Sequence, residues 1–211
     1  MAENESILEN KLIHELATGD SQWTYRPDLK TEDDLWNNIR EKLGNMNSHK
    51  LDGHPITDSE MEQIKSFIKE KAESTYKAAV WLSGERGLAQ IPLSREDASL
   101  GQLHLDAISN RDIAGGHSTY EIINQYQSRK QDDTDRNRRF DVTLLINGFP
   151  MIHIELKNQS HPYKEAFNQI KKYLTQGKFR GLFGLVQMFV VTNGVDTKYI
   201  AANDDPEKLN E

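Results

Sequence analysis

Along the first third of the chain, apolar residues return every three or four positions. Ile7, Leu8, Leu12, Ile13 and Leu16 share one side of a helix predicted over about residues 5–17, and Gly19 follows as a stop. A second helix is predicted after Thr31, whose side chain can cap it. Glu32, Asp33 and Asp34 occupy its first turn, where the helix dipole favours acids, and it runs through Leu35, Trp36 and Ile39 to Gly44. Residues 45–55 read as a loop. Thr57 followed by Glu60 forms a capping box for a third helix containing Met61, Ile64 and Ile68. Residues 76–118 are the least patterned; strands at 79–82 and 103–108 and a turn at Gly115-Gly116 are expected there.

From residue 119 onward the pattern changes to the alternation of strands. Thr119–Gln127 and Arg139–Ile146 are predicted strands, separated by the polar stretch Ser128–Arg138; Asn147-Gly148 marks a turn and Met151–Lys157 a third strand. Pro162 suits a helix's first turn, with Ser160 or His161 as cap. The helix from about 162 to 176 should bury Tyr163, Ala166, Phe167, Ile170 and Leu174 and end at Gly177. Met188–Thr192 is continuously apolar, as a buried strand requires, and Lys198–Ala201 reads as an edge strand. This order of elements predicts an α/β fold, a mixed β-sheet flanked by helices.

The Asn147-Gly148 turn sets two signals against each other. Between aliphatic runs it favours a two-residue type I′ turn that pairs Ile146 with Phe149. Carried onward, that register places Asp141 opposite Ile154 and sends Glu155 to the other side of the sheet. The alternation asks for something different. Phe140, Val142, Leu144 and Ile146 fall on one face of their strand, with Arg139, Asp141 and Thr143 on the other. Ile152, Ile154 and Leu156 share a face opposite His153, Glu155 and Lys157. Joining the two aliphatic faces needs a shift of one residue. Each buried aliphatic side chain contributes about 1.5–3 kcal/mol, more than a turn preference, so the core should dictate register. A three- or five-residue connection, or a bulge with Gly148 at positive φ, is expected in place of the simple turn.

A chain of 211 residues can bury a sizeable core, and 36% apolar with 28% charged residues is a globular composition rather than a disordered one. Cysteine is absent, which excludes disulfides and thiolate metal sites and fits a cytoplasmic setting. Glu3, Glu5 and Glu9 break up the start of the chain, so no secretory signal is expected, and no apolar run reaches membrane-spanning length. The net charge of −7 argues against a nucleic-acid partner until its distribution is considered. Residues 136–202 carry ten basic and four acidic residues, hence +6, leaving −13 for the remainder. That segment is a candidate phosphate-facing surface.

Chemistry concentrates on the same strands. If the aliphatic faces of 139–146 and 151–157 join, Asp141, Glu155 and Lys157 emerge together on the opposite side. Two carboxylates from adjacent strands make a hard oxygen site suited to Mg²⁺, and a lysine beside them can act on an attacking water and offset transition-state charge. Alone, E-x-K is a weak signal; Glu9-Asn10-Lys11 is another, in a predicted helix. Here it lies in an aliphatic strand, Asp141 occupies the matching face of the preceding one, and the next helix carries Gln169 and Tyr173 four apart. Asp106 is a strand-borne acid without a following E-x-K, and the histidines lack zinc-ligand spacing. Trp23, Trp36 and Trp81 read as core residues.

Asp141, Glu155-Leu156-Lys157 and Gln169-Ile170-Lys171-Lys172-Tyr173 resemble the PD-(D/E)xK nuclease motif with its Q-x-x-x-Y element. The stretches RRFDVTLLINGFPMIHIELKNQSHPYKEAFNQIKKY and FVVTNGVDTKYIAA are similar to the RecB-like nuclease domain at the N-terminus of type I restriction enzyme R subunits, and LENKLIHEL looks like that family's first helix. Phe140 stands where the motif has Pro. The resemblance implies a restriction-endonuclease-like core within one nuclease domain over 1–203, made of a helical flank (5–75) and a catalytic core (119–202), with 204–211 opening a linker to motor domains. It implies Mg²⁺ held by Asp141, Glu155 and the Leu156 carbonyl, Lys157 acting on the water, and Glu9 completing an acidic cluster. Gln169 and Tyr173 would position DNA or active-site groups. The partners implied are double-stranded DNA and the methyltransferase and specificity subunits, with ATP used only by the full-length subunit; no P-loop G-x-x-x-x-G-K-[S/T] occurs in this sequence. The alternative function is a non-catalytic docking module on the same fold, joining motor to methyltransferase.

Overall fold

The computed structural model describes residues 5–21, 23–110, 118–127 and 139–209. In chain order the elements are α1 (Glu5–Thr18), β1 (Thr24–Tyr25), α2 (Glu32–Met46), α3 (Ser48–Leu51), α4 (Asp58–Lys71), α5 (Thr75–Ser83), β2 (Leu88–Ser94) and β3 (Gln102–Ser109). There follow β4 (Tyr120–Gln127), β5 (Arg139–Ile146), β6 (Phe149–Leu156), α6 (Tyr163–Thr175), β7 (Met188–Thr192) and β8 (Thr197–Ala201). The fold is α/β, with a six-stranded mixed sheet ordered β1-β4-β5-β6-β7-β8 and a separate β2-β3 hairpin. The β6–β7 pair is parallel and is bridged by α6, while β8 is an edge strand as its pattern suggests.

Helix starts follow local chemistry. Thr31 accepts from the Asp34 N–H while Asp34 answers the Thr31 backbone, and Thr57 with Glu60 does the same for α4. α6 differs from expectation: Pro162 itself holds the cap position, with no side-chain bond from Ser160 or His161. Two other expectations fail. Residues 79–82 are helical, because Ser74 caps α5 and Ala78, Trp81 and Leu82 bury one side at helical spacing; a short apolar run does not distinguish helix from strand. The 45–55 loop contains α3, whose Leu51 is buried. The 103–108 strand is present as part of β3, and Gly115-Gly116 lies outside the described residues.

Both sheet faces are covered. α1 packs Ile13 against Ile122, Val142, Leu144, Ile154 and Leu156. On the opposite face, a larger core joins Leu35, Ile39, Ile64, Ile68, Trp81, Ile91 and Leu105 to Ile123, Leu145, Phe149, Ile170 and Phe189. Of the tryptophans, Trp36 and Trp81 are buried and Trp23 is half-buried against the α1 side. Ile7, assigned to the apolar side of α1, is exposed. Phe140 breaks the expected face: it joins the larger core rather than Val142 and Leu144. The kink coincides with Gln125, whose φ of 54° interrupts the β4–β5 pairing between Asn124↔Val142 and Tyr126↔Phe140.

The β5–β6 hairpin satisfies both competing signals. Ile146 does pair with Phe149, with Asn147 and Gly148 at φ 52° and 83°, the left-handed pair of a type I′ turn. The longer connection expected from the core is therefore absent. Beyond Leu145↔Pro150 the register slips, so that Leu144 meets Ile152, Thr143 meets His153 and Val142 meets Ile154. Met151 is the extra residue of a bulge. Local turn preference holds the tip, and the core sets the register of the body. Asn147 anchors the tip, donating to the Ala107 carbonyl at 3.0 Å and accepting from the Thr119 N–H at 2.8 Å.

At the C-terminal end, Asp204 accepts from Thr75 and Leu209 is fully buried, so the chain is still packed on the domain at Leu209, past the residue where a linker was expected.

Candidate active site

The shifted register brings Asp141 and Glu155 to the end where β5 and β6 part. Pairing stops at Val142↔Ile154. The Leu156 N–H, beyond that last pair, donates to Asp141 Oδ2 at 2.8 Å, so the carboxylate substitutes for a strand partner. On its other side β6 continues alongside β7, with Leu156 paired to Thr192 and the Lys157 N–H donating to the Thr192 carbonyl at 2.9 Å. Asp141 is thus pinned by backbone while the strands splay beside it.

Glu155 does not point into solvent. It is fully buried, because α6 and the aromatic cluster cover the face that alternation marks as polar. Burial, with the nearby Glu155 charge, pushes Asp141 up to about 7, against the pull of the Leu156 N–H. Burial likewise pushes Glu155 up to about 8, although Lys157 pulls it down. One Glu155 oxygen, Oε2, lies 3.2 Å from His153 Nε2. The other, Oε1, is buried without a hydrogen-bond partner. Lys157 Nζ lies 3.9 Å from Oε1 and 3.8 Å from Glu5 Oε1, placing the ammonium between the strand end and the start of α1.

His153 and Glu5 are parts of this site that the sequence reading did not single out. His153 was visible on the Glu155 face; its ring is now wholly enclosed, and burial depresses it to about 4, so it is neutral at ordinary pH. Thr143 Oγ1 sits 3.4 Å from its Nδ1. Glu5 carried no signal, since its place depends on how α1 crosses the sheet.

Glu9 is placed beside this group rather than within it. Its carboxylate accepts from the amides of Asn124 and Gln125 on β4, the strand next to Asp141. Lys30 Nζ donates to both oxygens of Asn124 at 2.7 Å. Among the described residues no set of three or more His, Cys, Asp or Glu side chains is arranged to hold a metal ion. Asp106 is engaged elsewhere, with Lys50 at 2.6 Å and Gln90 at 2.7 Å in the β2–β3 hairpin.

Tyr173 turns inward from α6. It is buried, its ring centroid 5.6 Å from that of Phe140, which in turn lies 4.9 Å from His153. Gln169 donates to the Tyr173 hydroxyl at 2.6 Å. The pair therefore abuts the aromatic shell around His153. Of the basic residues, Arg136 and Arg138 lie outside the described residues and Lys178 is buried, whereas Arg139, Lys164, Lys172, Arg180 and Lys198 are exposed.

The chain matches the family described as "Type I restriction enzyme R protein N terminus" over residues 2–208. It belongs to that family. It is 32% identical over 202 residues to the type I restriction enzyme SsaAORF53P endonuclease subunit of Staphylococcus saprophyticus, covering 96% of this chain and 20% of the relative. It is 28% identical over 211 residues to the EcoprrI endonuclease subunit of Escherichia coli, covering 98% of this chain and 61% of the relative. The chain thus spans about a fifth of the length of the staphylococcal relatives it matches. As an N-terminal region of type I R proteins, it contains, among the described residues, no helix long and apolar enough to cross a membrane.

Proposed function

We propose that this chain is the Mg²⁺-dependent endonuclease domain of a type I restriction R subunit, hydrolysing phosphodiester bonds in double-stranded DNA. The observation that supports this most is Glu155 Oε1, buried without a hydrogen bond beside a second carboxylate, with the Lys157 ammonium 3.9 Å away. Burial and a neighbouring carboxylate both raise the cost of ionising such a group, and a buried oxygen without a hydrogen bond is expensive unless something meets it. A divalent cation between Asp141 and Glu155 suits both demands, and oxygen donors suit Mg²⁺. When bound, it would offset charge on the scissile phosphate.

The chain's own residues do the rest. The Leu156 N–H fixes Asp141 Oδ2, which keeps the second Asp141 oxygen available. Lys157, tethered between Glu5 and Glu155, orients the attacking water and stabilises charge developing on the phosphate. Glu9 steadies β4 next to Asp141 through Gln125, and Gln169 with Tyr173 supports the covering face. In the longer protein this cleavage would be coupled to ATP-driven DNA translocation, in the cytoplasm, in complex with methyltransferase and specificity subunits.

The test is cleavage by the full restriction complex carrying Asp141→Asn, Glu155→Gln or Lys157→Met. Each should lower cleavage by at least about 10²-fold, the scale of losing one electrostatic contributor, while ATP hydrolysis continues. Near-normal cutting by any of the three would remove that residue from the proposed centre. The isosteric changes matter because Glu155 is fully buried, and truncation to Ala would leave a cavity.

A further inference from the structure

We infer that His153 is the positioning residue of the nuclease centre, selecting which oxygen of Glu155 faces the cation. This rests on the metal reading above. A glutamate's terminal torsion is soft, so a catalytic carboxylate needs a partner to hold its plane. In this chain the partner is a side chain two residues earlier on the same strand face. His153 Nε2 meets Glu155 Oε2 at 3.2 Å and Thr143 Oγ1 meets Nδ1 at 3.4 Å. With a cation bound the Glu155 carboxylate is ionised and only accepts, so in that state the proton belongs on Nε2 and the threonine hydroxyl donates to Nδ1. That tautomer is assigned from the network.

The ring cannot turn away. Phe140, Phe179 and Phe189 lie at centroid distances of 4.9, 5.2 and 6.5 Å, and His153 is fully buried. Tyr173 braces the outside of the same cluster, against Phe140 at 5.6 Å and Phe179 at 6.3 Å. The chain of contacts thus runs from α6 through the rings to His153, then to Oε2, leaving Oε1 as the open oxygen. Hydrogen-bonded support of a ligating carboxylate characteristically affects metal affinity as well as rate.

The experiment is Mn²⁺ binding by this chain, measured by calorimetry and by the paramagnetic resonance signal of the free ion, with thermal unfolding as the check on folding. His153→Leu, which fills the cage but donates nothing, should weaken Mn²⁺ binding by about 10- to 100-fold while the protein remains folded. His153→Gln, which retains an N–H donor, should recover most of that loss; packing alone predicts no such recovery. Thr143→Val loosens the ring without emptying the cage and should weaken binding in the same direction, keeping the inference open to refutation if His153→Leu does not fold. Mn²⁺ affinity unchanged in a folded His153→Leu or in Thr143→Val would overturn the role of His153, as would a His153→Gln no better than His153→Leu. If the unaltered chain takes up no Mn²⁺, the metal reading itself fails and takes this one with it.

Discussion

At the scale of single residues, the candidate centre gathers groups that burial makes costly to charge. Asp141 and Glu155 are raised, to about 7 and about 8, while His153 is depressed to about 4. A carboxylate whose folded pKa is raised contributes stability below its unfolded pKa and loses it as pH climbs through the folded value. A depressed histidine acts oppositely, costing stability as pH falls below its unfolded value. The two effects overlap in acid, but between pH 6.5 and about 8 only the carboxylates titrate. Without divalent cation, this chain should therefore lose stability from these groups across that window, by at most about 1.4 kcal/mol per pH unit for each proton released. Asp141→Asn with Glu155→Gln should flatten the decline, and Mg²⁺ should oppose it in the unaltered chain; urea unfolding at several pH values measures both. A slope identical in the double variant would detach the effect from this pair. The trio Asp141, Glu155 and Lys157 was legible because alternation fixes the face of every residue in a strand. His153 lay on that face too, but its role depends on Thr143 and three phenylalanines brought in from other positions. Glu5 and the amide partners of Glu9 depend on where α1 lands, which no local pattern encodes.

At the scale of elements, capping boxes, strand alternation and the α6 stripe were readable since each is a local rule. What escaped was long-range. The polar face of β6 reads as solvated but is covered by α6 and the aromatic cluster, and Phe140 crosses to that face where Gln125 kinks β4. The hairpin shows two rules acting at different ranges, a type I′ tip on a bulged body. Gly148 is the residue that permits this, with φ 83° and room for a Cβ only 3.0 Å from Ile39 Cγ1. Gly148→Val should destabilise by about 1–3 kcal/mol, from backbone strain and crowding together. For a domain of this size that corresponds to a melting temperature lower by roughly 2–4 °C per kcal/mol. An unchanged melting curve would mean that the turn tolerates another geometry.

At the scale of the whole molecule, the charge is divided between an acidic remainder and exposed basic residues around α6, β5 and β8. A net charge of −7 keeps general attraction to DNA small. The chain by itself should bind duplex DNA without sequence preference, at a Kd of roughly 10⁻⁴–10⁻⁶ M that weakens steeply with salt. Fluorescence anisotropy across a salt series with unrelated duplexes measures this; tight, sequence-specific binding would instead require a base-reading surface on this domain. The proposed centre rests on one pair of carboxylates, Asp141 and Glu155. Anomalous diffraction from crystals of this chain soaked in Mn²⁺ tests that pair most directly. The account predicts a peak bridging Asp141 and Glu155 Oε1 that disappears in Asp141→Asn. Soaked crystals with no ion between these two carboxylates, or with one held elsewhere and indifferent to that substitution, would contradict it.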